Sequence, residues 1–255
     1  MPQSADFTFV DIREFDTYDT SSFDILVAVG GDGTVNTVAQ RVYIENKTLG
    51  VIPKGSGDGL ARFLGISRNI HIAMEALLHG ETKSIDTAQV DNHFFINVAG
   101  AGFEAEVAHR FGEAGIRGLQ GYIKTIAKTF SSREEKIVTM RLNGKKTQVP
   151  FFSLSIANGA QWGNNFEIAS AANIQDGLLD VAVMRKPKWY QIVSLIAFLR
   201  SKQQENNKLF TFYKASQIDI KHSGKLWHID GEPLILRNEK HITIHPESLK
   251  IRVPK

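Results

Sequence analysis

The segment Phe23–Asn36, FDILVAVGGDGTVN, constrains the chain more than any other. Phe23–Val29 has no polar residue after Asp24, and an apolar, β-branched run of that kind reads as a strand buried on both faces. It runs into Gly30-Gly31-Asp32-Gly33-Thr34, and a helical pattern follows with Val35, Val38, Ala39 and Val42 on one face. Strand, glycine-rich turn and helix together aim backbone N–H groups and a helix N-terminus at an anion such as phosphate. The glycines let the backbone approach that anion with no Cβ in the way. Asp32 adds a carboxylate that can hold a metal-bound phosphate or accept a hydroxyl proton. The string has neither the G-x-x-x-x-G-K-[ST] of a P-loop nor the G-x-G-x-x-G dinucleotide fingerprint.

The rest of the composition narrows the class. An apolar share of 42% supplies an ordinary globular core, in one large domain or two smaller ones. With no cysteine, disulfides, thiolate zinc sites and cysteine nucleophiles are excluded. The eight histidines show no H-x-x-x-H or H-E-x-x-H spacing, which argues against zinc. A net charge of +3 is compatible with a membrane surface, and no nucleic-acid partner is expected. MPQSADFTF lacks a basic signal-peptide start, and the longest mainly apolar run, Ile192–Leu199, is far short of the ~20 residues that span a bilayer. A cytoplasmic protein, with at most peripheral membrane contact, is expected.

Along the chain, Phe7–Ile12 reads as a strand ahead of the Phe23 strand, and Thr48–Pro53 as another. The latter opens into a second glycine-rich loop, Lys54-Gly55-Ser56-Gly57-Asp58-Gly59, and a helical LARFLGI. Ile70–His79 is amphipathic through Ile70, Ala73, Met74, Leu77 and Leu78, with Gly80 as its stop. Residues 1–84 therefore predict an open α/β layer with two glycine loops at neighbouring strand ends, where ligands of such sheets bind. Beyond it, strands are expected at Ser84–Val90, Phe94–Ala99, Lys136–Leu142, Thr147–Ala157, Leu179–Met184, Ser216–Lys221, Lys225–Ile229, His241–His245 and Leu249–Val253. Asn143-Gly144 gives the strongest hairpin signal. Helices are expected over Glu104–Ser131, broken around Gly112–Gly121, and over Lys188–Lys202. Residues 85–255 thus predict a mostly antiparallel β-sandwich domain with helical insertions, and a cleft between the two domains is the natural ligand site.

Several strings resemble one family. G-G-D-G-T is shared by diacylglycerol/sphingosine-type lipid kinases and NAD kinases, and with a terminal serine by phosphofructokinases. The second glycine loop is similar to the P-x-G-T-x-N-D-x-A-R segment of diacylglycerol kinases, and its G-S-G is closer to sphingosine kinases. Downstream, Asp86, Asn97, Gly102, Asn158-Gly159 with Gly163, Ala171 through Asp176-Gly177-Leu178-Leu179-Asp180, and Ile229-Asp230-Gly231-Glu232 follow in family order over about nine tenths of the chain. The chain therefore resembles the diacylglycerol kinase catalytic-domain family, with an NAD-kinase-like first domain.

The resemblance implies an ATP-dependent lipid kinase that moves the γ-phosphoryl of Mg-ATP to a lipid hydroxyl. It places nucleotide contacts on Gly30, Gly31, Asp32, Gly33, Thr34, Val35, Asn36 and Ser56. Glu232 becomes the general base, assisted by Asp32, with Asp86 joining the carboxylate network. A structural Mg²⁺ is implied at Asp176 with backbone oxygens of Asn173 and Leu178, an oxygen-only set that suits the ion. Without the family, Asp176-Gly177 and Asp230-Gly231 read as hairpin turns.

Three departures bear on this reading. Only 29 residues precede Gly30, with no N-P-x-S-G string, so an exposed sheet edge and a reduced nucleotide site are expected, or completion by another chain, as in a homodimer. Asp58-Gly59 stands where the family has Asn-Asp, and Ser170 replaces a proline. A catalytically silent nucleotide- or lipid-binding paralogue and an NAD kinase-like enzyme are the alternatives. Trp162, Trp189 and Trp227 read as core or rim. The stripe of Tyr190, Ile192, Val193, Ile196 and Phe198, bordered by Lys186, Lys188, Arg200 and Lys202, reads as a helix packed on the sheet, with a membrane-surface role as the lesser reading.

Overall fold

The computed structural model describes residues 6–113, 119–159, 161–163, 166–169, 172–200, 207–221 and 224–255. Ser170, Ala171 and Lys202 lie outside the described residues, as do the side chains of Trp162, Val193, Ile196 and Arg200.

In chain order the elements are β1 (Ile25–Gly30), α1 (Asp32–Glu45), β2 (Thr48–Pro53), α2 (Gly59–Phe63), α3 (Ile70–His79), β3 (Glu81–Val90), β4 (His93–Phe95) and β5 (Val98–Gly102). They continue with α4 (Phe103–Glu113), α5 (Leu119–Ser132), β6 (Lys136–Leu142), β7 (Lys145–Phe151), β8 (Ser153–Ala157), β9 (Gln161–Gly163), β10 (Phe166–Glu167) and β11 (Leu179–Met184). The last are α6 (Ile192–Arg200), β12 (Phe210–Ala215), β13 (Gln217–Lys221), β14 (Leu226–Ile229), β15 (Glu232–Ile235) and β16 (Glu239–Val253).

β1 and β2 are parallel and end level, with Gly30 opposite Pro53. Helix α1 packs Val35, Val38, Ala39 and Val42 into the core beneath them, the face its periodicity requires. The expected strand at Phe7–Ile12 does not form: the segment is irregular, and Phe9 is 91% exposed. Its alternating apolar residues find no partner among the described strands, and an unpaired strand has nothing to hold it.

One strand joins the two halves of the molecule. β16 pairs antiparallel with β3 along most of its length, and its end also runs parallel to β2 through Lys250–Thr48 and Ile251–Leu49. His241–His245 and Leu249–Val253, expected as two strands, are thus one strand with a bulge between His245 and Leu249. Bulges bend a strand and increase its twist. The sequence boundary expected near residue 84 therefore falls inside β3, in an eight-stranded sheet shared by the α/β and β-rich parts.

A second, fully antiparallel sheet has the order β12-β11-β8-β5-β14-β15. Its inner face, with Leu154, Ile156, Val181 and Trp227, packs on Met140, Ile218, Ile220 and Ile242 of the first sheet. Its outer face carries Val98, Phe152, Ala157, Ala182, Met184 and Phe210 against Phe103, Phe130, Leu195 and Leu199 of α4, α5 and α6. Burial on both faces explains why β5 and β11 are almost wholly apolar, whereas β8 alternates, Leu154 and Ile156 facing the inner core and Ser155 bonding Glu104 of α4. The buried residues of α6 among those described are Leu195 and Leu199, whereas Tyr190 lies in the preceding short turn and is 58% exposed. Phe94–Ala99 is interrupted: β4 stops at Phe95 and β5 starts at Val98. That interruption builds the site.

Candidate active site

The two glycine loops touch. Lys54 N donates to Gly30 O (2.9 Å) as β1 and β2 leave the sheet. A methyl group on Gly55 would come within 2.4 Å of the Gly31 Cα, so glycine at this crossing is a steric requirement. Asp32, the first residue of α1, ties the loops together: its Oδ1 accepts from Gly59 N at 2.8 Å. Asp58 is buried in the left-handed region (φ 51°) and turns inward, accepting from Gly55 N (2.8 Å) and pairing with Arg68 Nε (3.0 Å). Arg68 also donates to Gly55 O (2.6 Å). Asp58 therefore shapes its own loop, while Ser56 and Lys54 are exposed at its edge. No side chain caps the N-terminus of α1, which leaves its first N–H groups open to an anion. Val35 is the exception among the nucleotide candidates, with its side chain in the core.

Asp230 closes the site from the other sheet. It opens the two-residue turn between β14 and β15, with φ 47° at Asp230 and 90° at Gly231, the positive angles a tight hairpin needs. Its Oδ1 accepts from Asn97 N (3.0 Å) and Val98 N (2.9 Å). Its Oδ2 accepts from Ile96 N (3.0 Å) and from the Asn36 side chain (2.7 Å). The backbone N–H groups freed between β4 and β5 are thus satisfied by one carboxylate, which also grips α1. Two residues on, Glu232 is exposed and reaches the glycine loop: a methyl on Gly33 would lie 2.8 Å from its Oε1. Asp32, Asn36, Gly33, Asp230 and Glu232, from opposite ends of the sequence, converge here. Burial, then the Asp230 charge, pushes the Asp32 carboxyl above its ordinary pKa.

Asp86 does not join this group by its carboxylate. Fully buried, it accepts from Gly177 N and from Glu247 N, each at 2.8 Å, pinning the Asp176-Gly177 turn to the β16 bulge. Its carbonyl takes Asn158 Nδ2 (2.8 Å), which also bonds Ile96 O (2.7 Å) beside the Asp230 cluster. Asp86 is a strut between the halves of the molecule.

The Asp176-Gly177 turn leads into β11 rather than joining two hairpin strands. Both Asp176 oxygens are engaged: Oδ1 accepts from Leu178 N (3.1 Å) and Oδ2 from Lys214 Nζ (3.1 Å). Lys214 also reaches Asp180, its cross-strand partner, at 3.1 Å. Although partial burial works the other way, these two carboxylates hold the Lys214 ammonium above its ordinary pKa. The Asn173 carbonyl accepts from Asp176 N (3.3 Å). A divalent ion held by Asp176 and the carbonyls of Asn173 and Leu178 would have to displace the Lys214 ammonium from Asp176 Oδ2.

The sequence assigned no site role to Asp230, Arg68 or Lys214. Asp230 was legible as half of an Asp-Gly turn; its four acceptor bonds depend on residues over a hundred positions away. Nothing local marks Arg68 or Lys214.

The class follows from this architecture: a glycine-loop α/β layer that shares a sheet with an antiparallel sandwich, with carboxylates at their junction. A solved diacylglycerol kinase from Bacillus anthracis strain Sterne has the same fold, with a TM-score of 0.76 over 95% of this chain and 82% of that one at 21% identity. The profile of the diacylglycerol kinase catalytic domain matches residues 11–90, and that of the YegS C-terminal NAD kinase beta sandwich-like domain matches residues 97–253. The chain belongs to this diacylglycerol kinase/YegS family of lipid kinases. It is 29% identical to the "Diacylglycerol kinase" of Bacillus subtilis strain 168, over 82% of this chain and 71% of that protein. It is also 29% identical to a "Probable lipid kinase YegS-like" of Pseudomonas putida, over 92% of this chain and 78% of that protein.

Proposed function

We propose that the chain transfers the γ-phosphoryl group of Mg-ATP to the hydroxyl of a lipid of the diacylglycerol class. The observation that carries this reading is the Glu232 carboxylate lying against Gly33, within the loop and helix start that would hold the nucleotide phosphates. Backbone N–H groups of Gly31, Gly33 and Thr34 offer donors to the phosphates, with Asn36 and Ser56 on the borders of the cradle. The lipid O–H proton goes to Glu232 as the hydroxyl oxygen bonds to Pγ. The bond from Pγ to the bridging oxygen breaks, and ADP leaves. Asp32, held by Gly59 N, would orient metal-bound or free water beside the phosphate, and Asp230, through Asn36 and the 96–98 backbone, ties the hairpin that carries Glu232 to α1. Mg²⁺ enters with ATP as part of the substrate; no step runs through the Asp176 turn. Among the described residues no helix is long and apolar enough to cross a membrane, so the lipid would be met by peripheral contact.

Labelled ATP turnover with Mg²⁺ against diacylglycerols, monoacylglycerol, sphingosine and ceramide in mixed micelles, with NAD as a further acceptor, tests this. A labelled lipid is expected, and Glu232→Gln should lower kcat by about a hundredfold or more, the usual scale for a lost general base, with ATP affinity nearly unchanged. Full activity in Glu232→Gln would refute its role. Nucleotide binding without turnover would point to a silent paralogue, and labelled NADP to the NAD kinase-like alternative.

A further inference from the structure

Beneath the β14–β15 hairpin lies a polar cluster that the phosphoryl transfer does not use. Ser155, Gly100, His228 and Pro233 are cross-strand partners in one row on the outer face of the six-stranded sheet. Glu104, in the first turn of α4, lies over the middle of that row. A methyl on Gly100 would collide with Glu104 Oε1 and stand 2.7 Å from His228 Nε2, so only glycine there admits the carboxylate. Ser155 Oγ donates to both Glu104 oxygens (2.9 and 3.1 Å), and Oε2 lies 3.5 Å from His228 Nε2. The His228 and Glu104 side chains are only 7% and 10% exposed. Among the described residues neither ring nitrogen of His228 makes a hydrogen bond, so the carboxylate is the ring's polar partner.

A second contact joins the same two elements. About one and a half turns along α4, His109 Nε2 reaches Trp227 O (3.1 Å) and Leu234 O (3.2 Å), cross-strand partners in the hairpin. Both acceptors are carbonyls, so Nε2 carries the proton. The hairpin needs such support: β15 is a four-residue edge strand with Glu232, Pro233 and Ile235 exposed. A buried acid–histidine contact is a weak source of stability, and its better-attested use is to fix register.

We infer that Glu104, His228 and His109 are positioning residues: they fasten α4 to the β14–β15 hairpin and so fix where Glu232 stands against Gly33. The inference rests on the reading of Glu232 as the base. A general base acts only within hydrogen-bond reach of the proton it takes, and a misplacement of about 1 Å can cost roughly a hundredfold in rate. Asp230 ties the turn to α1 and to the 96–98 backbone. The α4 contacts hold the two strands from the outer face, which the turn bonds alone leave free to tilt.

The test pairs amide hydrogen exchange over residues 226–236 with turnover, in the full chain and in His228→Leu, His228→Gln, His109→Leu and Glu232→Gln. Exchange over that segment should quicken by at least about tenfold in both leucine variants. It should stay near the parent's in His228→Gln, whose amide nitrogen can take the place of Nε2 beside Glu104. In the same order, kcat should fall by about tenfold or more in the leucine variants, with KM for ATP within about twofold of the parent's, and recover in His228→Gln. A merely structural contact would lower Tm in the leucine variants and leave kcat of the folded enzyme alone. Should His228→Leu not fold, His109→Leu, at a half-buried position, carries the same test. Exchange like the parent's in the leucine variants overturns the inference. Faster exchange with unchanged kcat, in an enzyme that Glu232→Gln disables, overturns it too. If Glu232→Gln is fully active, it is the base assignment that fails, and exchange alone decides whether α4 holds the hairpin.

Discussion

Replacing Asp230 with asparagine tests whether one carboxylate assembles the site. Asp230 accepts four hydrogen bonds, two on each oxygen, three of them from the backbone N–H groups of Ile96, Asn97 and Val98. In Asp230→Asn one oxygen becomes an NH₂ group facing two donors, so whichever way the amide turns, two bonds are lost. Hydrogen bonds to a charged acceptor contribute about 1.5–3 kcal/mol each, which gives a loss of about 3–6 kcal/mol. For a chain of this size that lowers Tm by roughly 6–11 °C. A second effect separates positioning from stability. The Asp230 charge helps raise the Asp32 carboxyl, so its removal lets Asp32 ionise at lower pH. The acid limb of the kcat/KM profile for ATP should therefore move to lower pH, while Asp230→Ala shows the same shift with a larger stability loss. Calorimetry with pH-dependent turnover checks both. An unchanged Tm with an unshifted acid limb would refute the reasoning.

Gly33→Ala should lower turnover while leaving thermal stability level or slightly higher. The new methyl meets only the flexible tip of Glu232, and alanine is the better helix residue. Lys214→Met should lower Tm by roughly 3–6 °C and make the variant responsive to Mg²⁺, whereas the parent Tm is the same in Mg²⁺ and in chelator; a parent strongly stabilised by Mg²⁺ contradicts the ammonium lock. Lys240 is buried over the Trp227 ring, and desolvation lowers its pKa from 10.5 to about 8. The native state thus disfavours its charged form, a cost of about 3 kcal/mol that is full below about pH 8 and relieved as pH rises toward 10.5. Lys240→Met should be about 2 kcal/mol more stable at pH 7, after loss of the ring contact, and the gain should fade by pH 10; urea unfolding at the two pH values measures it.

Local chemistry in the sequence determined the elements that depend on near neighbours. The β1–loop–α1 unit, the Asn143-Gly144 hairpin with positive φ at both residues, and β11 at Leu179–Met184 were all legible, because apolar period and turn residues act within a few positions. The same locality misled at Phe7–Ile12, where alternation alone could not supply a pairing partner. Only the tertiary structure decided that residues 239–253 form one bulged strand shared by both halves, because pairing with β2, β3 and β13 is a long-range choice. It likewise decided which carboxylates act together. Asp86, Asp176 and Asp230 are all aspartates of the family motifs, the first within an expected strand and the other two in Asp-Gly turns. One became a strut, one an ammonium partner and one the centre of the candidate site, because most of the donors that meet these carboxylates come from distant segments and no short-range pattern encodes them.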